Sequence, residues 1–300
     1  MRDSENAADT GQPEGDGSVW EQLGPGVARR RLPHLDVTIG LVVGADGVLL
    51  VDTGSTLREG AELRSQVADL TGGRSVTHVV LTHGHVDHVL GSAAFEGAEV
   101  YAARGLGARL AREAEALRAE AVELGTDPAE AAEAVAALLL APPTTEVGGD
   151  GAGDGTAEGV ELDLGGRAVL LVRPGPGHTR HDLAVFVPGA TASDPAVVFC
   201  GDLVEESGEP QAGPDAVPSG WPAAVDTLLA LGGETARYVP GHGAVVDARF
   251  LRAQRDELAR RAAGPGSAPA GPGASTPAGP GPSAPAGPAD SAPEGASDPE

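Results

Sequence analysis

The 300-residue chain has no lysine, so its 20 basic residues are all arginine, set against 44 acidic residues for a formal net charge of −24. Phosphate backbones are gripped largely by Lys and Arg, and this balance argues against nucleic acid as a partner. Cysteine is almost missing as well. Cys200 stands alone, which excludes a disulfide within the chain and makes a cytoplasmic location the expectation. No apolar run approaches the roughly 20 residues of a membrane span, so no membrane partner is expected either. Arginine without lysine, beside 45 Gly and 25 Pro, suggests a GC-rich bacterial genome. Residues 1–17 are polar and acidic without an apolar leader core, and residues 263–300 are nearly all Pro, Ala, Gly and Ser. Both ends read as disordered, because neither has the apolar surface to offset its ordering entropy. Residues 18–262 remain as one domain, large enough to bury a core.

What the chain does have is histidine in one place. Thr82-His83-Gly84-His85-Val86-Asp87-His88 puts three imidazoles and a carboxylate directly after the apolar run Val79-Val80-Leu81. Crowding these groups together costs solvation that they cannot recover from one another. A divalent cation removes that cost, and neutral imidazole with carboxylate suits zinc, with manganese or iron as substitutes. Three more residues recur in the same setting, at the end of an apolar strand and beside glycine: His178 after Gly177, Asp202 after Gly201, and His242 after Gly241. Glycine there permits sharp turns and close backbone approach.

In this order the residues resemble the metallo-β-lactamase-fold hydrolases, over roughly residues 35–260 and including Val51-Asp52-Thr53-Gly54. The resemblance implies an α+β fold, a four-layer αββα sandwich with the site at one edge of two sheets. It also implies two metal ions, zinc by preference. His83, His85 and His178 would hold the first, Asp87, His88 and His242 the second, and Asp202 would bridge them. The implied reaction is hydrolysis of a small ester, thioester, lactone or amide by a metal-bridging hydroxide, with ions roughly 3.5–4 Å apart. Asp87 would orient the nucleophile and pass a proton to the leaving group. Asp52 resembles the family aspartate that accepts a hydrogen bond from a ligand imidazole, although an ordinary turn or cap role fits the same residue.

Departures narrow the substrate by exclusion. Asp202 stands where the commonest lactamases place a Cys ligand, and His88 where they have Arg. Glyoxalase II resembles the chain in all seven ligands, but only one helix and the tail follow His242, so its glutathione-binding domain has no counterpart. Lactone hydrolases carry a tyrosine shortly after the bridging Asp, where this chain reads Leu203-Val204-Glu205-Glu206. His85 counts against the flavodiiron branch. The alternatives that stay open are a mononuclear Fe(II) persulfide dioxygenase-like oxidoreductase and a non-catalytic metal-binding module.

Patterning supplies the frame. Residues 35–43 and 47–52 read as a hairpin of strands, 57–70 as a helix ended by Gly72-Gly73, 76–81 as a strand and 89–95 as a short helix. Residues 105–141 read as a helical insertion of two helices, broken at Leu124-Gly125-Thr126-Asp127-Pro128, either a lid or an amphipathic packing pair. An acidic loop covers 148–159. Strands resume at Val160, Ala168, Leu183, Val197 and Tyr238, with helices at 221–231 and 248–262. Of the other polar residues, His34 and His78 read as surface or strand positions, and His181 as a weaker contact to substrate. Asp182 is expected to brace the His178 loop, and Trp221, Glu205, Glu206 and Asp215 to line a pocket. Cys200 is expected to be inert packing on the same strand face as Asp202.

Overall fold

The computed structural model describes residues 19–148 and 159–264. The expected disordered ends, from residue 265 onward and over 1–17, and most of the acidic loop lie outside the described residues. Seven strands form one sheet in sequential order: β1 (Glu21–Gly24), β2 (Val27–Arg31), β3 (Thr38–Val43), β4 (Val48–Val51), β5 (His78–Leu81), β6 (Glu99–Ala103) and β7 (Thr145–Val147). Pairing is antiparallel as far as β4 and parallel from there to β7. The second sheet holds β8 (Gly159–Asp163), β9 (Ala168–Val172), β10 (Ala184–Val187), β11 (Val197–Glu205) and β12 (Arg237–His242), in the spatial order β12-β11-β10-β9-β8. Here only β11 and β12 run parallel.

Strand alternation builds the layers. Val197 and Phe199 of β11 join Val51, Val80 and Tyr101 of the first sheet in the core between the sheets. Val198 and Cys200 point the other way, under α6 (Trp221–Gly232) and α7 (Ala248–Ala263). The outer face of the first sheet packs Leu50, Val79 and Leu81 against α1 (Leu57–Leu70), α2 (Val86–Val89), α3 (Leu106–Arg112), α4 (Ala114–Glu123) and α5 (Pro128–Leu140). The result is the expected αββα sandwich. α1 shows how such a helix is specified: Thr56 caps Glu59 N at 3.1 Å, and Leu63 and Val67 are buried. Burial is worth about 1.5–3 kcal/mol per side chain against about 1 kcal/mol for a cap. The cap sets where the helix starts; burial sets which face turns inward.

Several expectations are corrected. Residues 105–141 hold three helices, because Glu113 (φ −105°, ψ 15°) ends α3 and begins α4. That break lets Leu106 and Leu110 reach Gly84 while Leu117 and Ala121 pack with the helices behind. The helix expected over 89–95 is two pieces, α2 within the histidine motif and a short 3₁₀ turn at Ser92–Ala94. The first strand of the hairpin starts at Thr38, because Leu35 (φ 59°) and Asp36 (φ 57°) are left-handed. Cys200 does not share a face with Asp202. Gly201 (φ 53°) makes an irregularity in β11 that breaks its alternation, since the neighbours Leu203 and Val204 both join Cys200 in the cluster under the outer helices, while Asp202 turns to the ligand groups.

Candidate metal centre

The histidine motif follows the C-terminal end of β5, a strand paired in parallel on both sides, while β11 carries Asp202 and β12 ends in His242. A bridge from Val37 to His242 ties the two sheets together there. The motif loop is stapled to the Val51-Asp52-Thr53-Gly54 turn, where Thr53 N and Oγ1 both donate to His88 O, at 3.0 and 2.8 Å. Asp52 itself has φ 62°. A left-handed non-glycine residue costs about 1–3 kcal/mol, which its carboxylate offsets by accepting from Thr82 N and Oγ1, both at 2.8 Å, and His88 Nδ1 at 2.9 Å. Gly241 is required by close approach, since a Cβ there would fall 1.8 Å from Asp202 Oδ1.

All seven sequence-predicted ligands come together in two groups. In the first, His85 Nδ1 lies 3.1 Å from His83 Nε2 and 3.0 Å from His178 Nε2. Asp202 Oδ2 is 3.7 Å from His83 Nε2 and 3.5 Å from His178 Nε2. In the second group Asp87 Oδ2 stands 3.5 Å from His88 Nε2 and 3.3 Å from His242 Nε2. Asp202 reaches this group as well, at 3.3 Å to His88 Nε2 and 3.4 Å to His242 Nε2. Ligand atoms around a tetrahedral zinc ion with bonds of about 2.0–2.1 Å are about 3.3 Å apart, close to these separations. His88 Nε2 and Asp202 Oδ1 are buried without a hydrogen-bond partner among the described residues, an arrangement that a shared cation resolves. The side chains therefore fit a dinuclear metal site.

Each imidazole is held from behind, which fixes the nitrogen that it presents. His88 Nδ1 meets Asp52, His83 Nδ1 is 3.1 Å from Thr82 Oγ1, His178 Nδ1 donates to Gln211 O at 3.0 Å, and His242 Nδ1 donates to Leu35 O at 3.0 Å. His85 Nε2 lies 3.4 Å from Asp215. Sequence reasoning missed Thr82, Gln211 and Leu35 as supports. The left-handed pair Leu35-Asp36 leaves no mark in the residue types, and two of the three contacts are backbone carbonyls.

The remaining candidates take other places. Asp182 accepts from Gly177 N, Thr179 N and Thr179 Oγ1, bracing the His178 loop, while burial pushes its carboxyl up to about 7. Trp221 is buried, donates to Leu203 O at 3.0 Å and packs its ring 5.5 Å from that of His178. It supports the site from beneath. Glu206 accepts from Ala244 N and steadies the turn after His242, whereas the buried Glu205 stands beside Asp202 and His242. His78 stacks on Tyr101, and His34 and His181 belong to neither ligand group.

Electrostatics divide the imidazoles. Burial, with neighbouring imidazoles, holds His83 well below its ordinary range and lowers His178 to about 4. Burial also works against charging His88 and His242, but the carboxylates outweigh it: Asp87, Asp202 and Asp52 hold His88 well above its ordinary range, and Asp202 and Asp87 push His242 up to about 11. The charged form of both is therefore favoured in the metal-free protein, and a metal competes with those protons. Zinc binding at pH 7 is expected to release about two protons or more per chain, read by calorimetry in buffers of different ionisation enthalpy; release of less than one would contradict this charge pattern.

Comparison with known proteins agrees with this fold. The profile described as the Metallo-beta-lactamase superfamily matches residues 32–242. Among solved structures, TMB-1 is 18% identical and covers 81% of this chain and 98% of its own, with a TM-score of 0.57. The metallo-beta-lactamase FIM-1 from Pseudomonas aeruginosa, solved in a mono-zinc form, is 22% identical over 82% of this chain and 96% of its own, also at 0.57. A metallo-beta-lactamase from Hirschia baltica is 18% identical over 80% and 96%, at 0.55. At these identities the likeness is one of fold. Comparison with curated proteins finds no significant match.

Proposed function

The chain belongs to the metallo-beta-lactamase superfamily, and from that premise we propose that it is a dinuclear zinc hydrolase of a small ester, thioester, lactone or amide. The observation that carries this reading is the sharing of Asp202 between two ligand groups, with His88 Nε2 and Asp202 Oδ1 buried 3.3 Å apart and making no hydrogen bond among the described residues. On this reading His83, His85 and His178 would hold one ion, Asp87, His88 and His242 the other, and Asp202 would be shared between them. Five imidazoles and two carboxylates make a donor set suited to zinc. Such a pair, when bound, supplies a water ionised near neutral pH and a Lewis acid for a carbonyl oxygen.

The chain's own residues then have separable tasks. Asp52 accepts a hydrogen bond from His88 Nδ1 and, through Thr82 Oγ1, steadies His83, so one buried carboxylate orients a residue of each group. Asp87 is held by His88 and His242, and its carboxylate is the group placed to accept a proton from the nucleophile and return it to the leaving group. The acidic balance of the chain favours a small substrate over a polyanion.

The test is turnover of a panel of a p-nitrophenyl ester, a thioester, a simple lactone and a β-lactam by zinc-equilibrated protein. At least one is expected to be hydrolysed, and Asp87→Asn is expected to lower kcat by about 10²–10⁴-fold. Tight zinc binding with no turnover of any of the four would instead favour a binding module.

A further inference from the structure

Two of the three imidazoles in the first group are held by a single stretch of chain, residues 206–220 between β11 and α6. Gln211 supports His178, and Asp215 stands behind His85. Asp215 is itself held: its Oδ2 is 2.9 Å from Arg109 Nη2 on α3. Arg109 is mostly buried, with 14% of its side chain exposed, and its Nε donates to Glu113 Oε2 at 2.8 Å. The same helix lies directly on the metal loop, since a Cβ at Gly84 would come within 2.6 Å of Leu106 Cδ1 and 3.2 Å of Arg109 Nη1. Segments that are far apart in sequence thus converge on one imidazole.

We propose that Asp215 and Arg109 are positioning residues for the first metal, acting in series: Asp215 accepts a hydrogen bond from His85 Nε2, and Arg109 holds Asp215 in place. His85 needs this support most, because it alone presents Nδ1 to its group while the other four imidazoles present Nε2. An Nδ1 ligand requires the proton on Nε2, and a carboxylate opposite Nε2 selects that tautomer and that ring orientation. At 3.4 Å the contact is longer than the roughly 2.7–2.9 Å of a tight charge-assisted hydrogen bond, so its quality depends on where the aspartate is held. The closer ion pair with Arg109, at 2.9 Å, does the holding. Helix α3 is on this account part of the metal site as well as a packing element, and its placement is coupled to occupancy of the first group.

The inference rests on the dinuclear reading, and the test separates the two. Zinc affinity of each site would be measured by chelator competition on the full chain, for wild type, Asp215→Ala, Arg109→Ala and the double variant. Asp215→Ala is expected to weaken the first site by about 10- to 100-fold and leave the second unchanged. Arg109→Ala should weaken the same site, and the double variant should be no weaker than Asp215→Ala, because residues in series do not add. In the zinc-loaded wild type, ¹H–¹⁵N spectra should show a slowly exchanging His85 Nε2 proton that is lost in Asp215→Ala and kept in Asp215→Glu. Asp215→Asn carries the test if the alanine variant does not fold, with an intermediate loss expected. Equal affinities in wild type and the Asp215 variants, or losses that add in the double variant, would overturn the inference. Fewer than two ions on wild type would instead overturn the dinuclear reading.

Discussion

Replacing Asp202 by alanine is expected to lower kcat/KM by about a thousandfold or more while the fold is kept. Asp202 touches both ligand groups, at 3.5 Å to His178 and 3.3 Å to His88, so its removal takes one carboxylate from each and the only group common to both. Lewis-acid stabilisation of a transition state is worth several kcal/mol, and about 4 kcal/mol corresponds to about a thousandfold in rate. Asp202→Asn retains the shape and one oxygen but loses the charge, and should fall between wild type and Asp202→Ala. Structural loss is separable, because Asp202 is not part of the three apolar clusters and circular dichroism should be unchanged. Steady-state kinetics that place Asp202→Ala within tenfold of wild type would remove the bridge from the mechanism.

Stripping the metals is expected to cost stability on a similar scale. In the metal-free chain the imidazoles and carboxylates of the site must satisfy one another, and His88 Nε2 and Asp202 Oδ1, 3.3 Å apart, make no hydrogen bond among the described residues. At free zinc about a thousand times Kd, one ion contributes about 4 kcal/mol to the folded state. Each kcal/mol moves Tm by about 2–4 °C in a domain of this size. Chelation should therefore lower Tm by roughly 8–16 °C per ion, with recovery on adding zinc back. A shift below about 2 °C in scanning calorimetry would mean that the ions contribute little to the fold. The effect should shrink as pH falls, because His88 and His242, held protonated by their carboxylates, compete more strongly with the metal.

The candidate ligands that the fold brings together are legible because their signal is local and repeated: an apolar strand, a glycine, then a side chain able to bind metal. The long, strongly periodic helix α1 and the Asp127-Pro128 start of α5 were legible for the same reason, each carrying both its cap and its pattern within a few residues. What was hidden depends on contacts distant in sequence. β1 and β2 carry Glu21 and a run of three arginines, Arg29 to Arg31, and read as polar; pairing with β3 makes them strands, and Arg29 is buried by its bonds to Glu21 and Gly243 O. β7 has three residues, too few for a period. The placement of Cys200 relative to Asp202 is hidden because Gly201 (φ 53°) interrupts the alternation of β11, which residue types alone do not reveal. Asp215 could be noticed as a loop residue near the bridging Asp, but its link to His85 spans 130 positions and exists only in the folded chain.

The central claim is a two-metal site sharing Asp202, and metal content per chain tests it most directly. Protein purified without chelator and equilibrated with zinc would be analysed by inductively coupled plasma mass spectrometry, beside Asp202→Ala. The account predicts close to two zinc ions per wild-type chain and fewer in the variant. One tightly held iron per chain, retained in Asp202→Ala, would contradict it and turn attention to oxygen-dependent chemistry at a mononuclear centre.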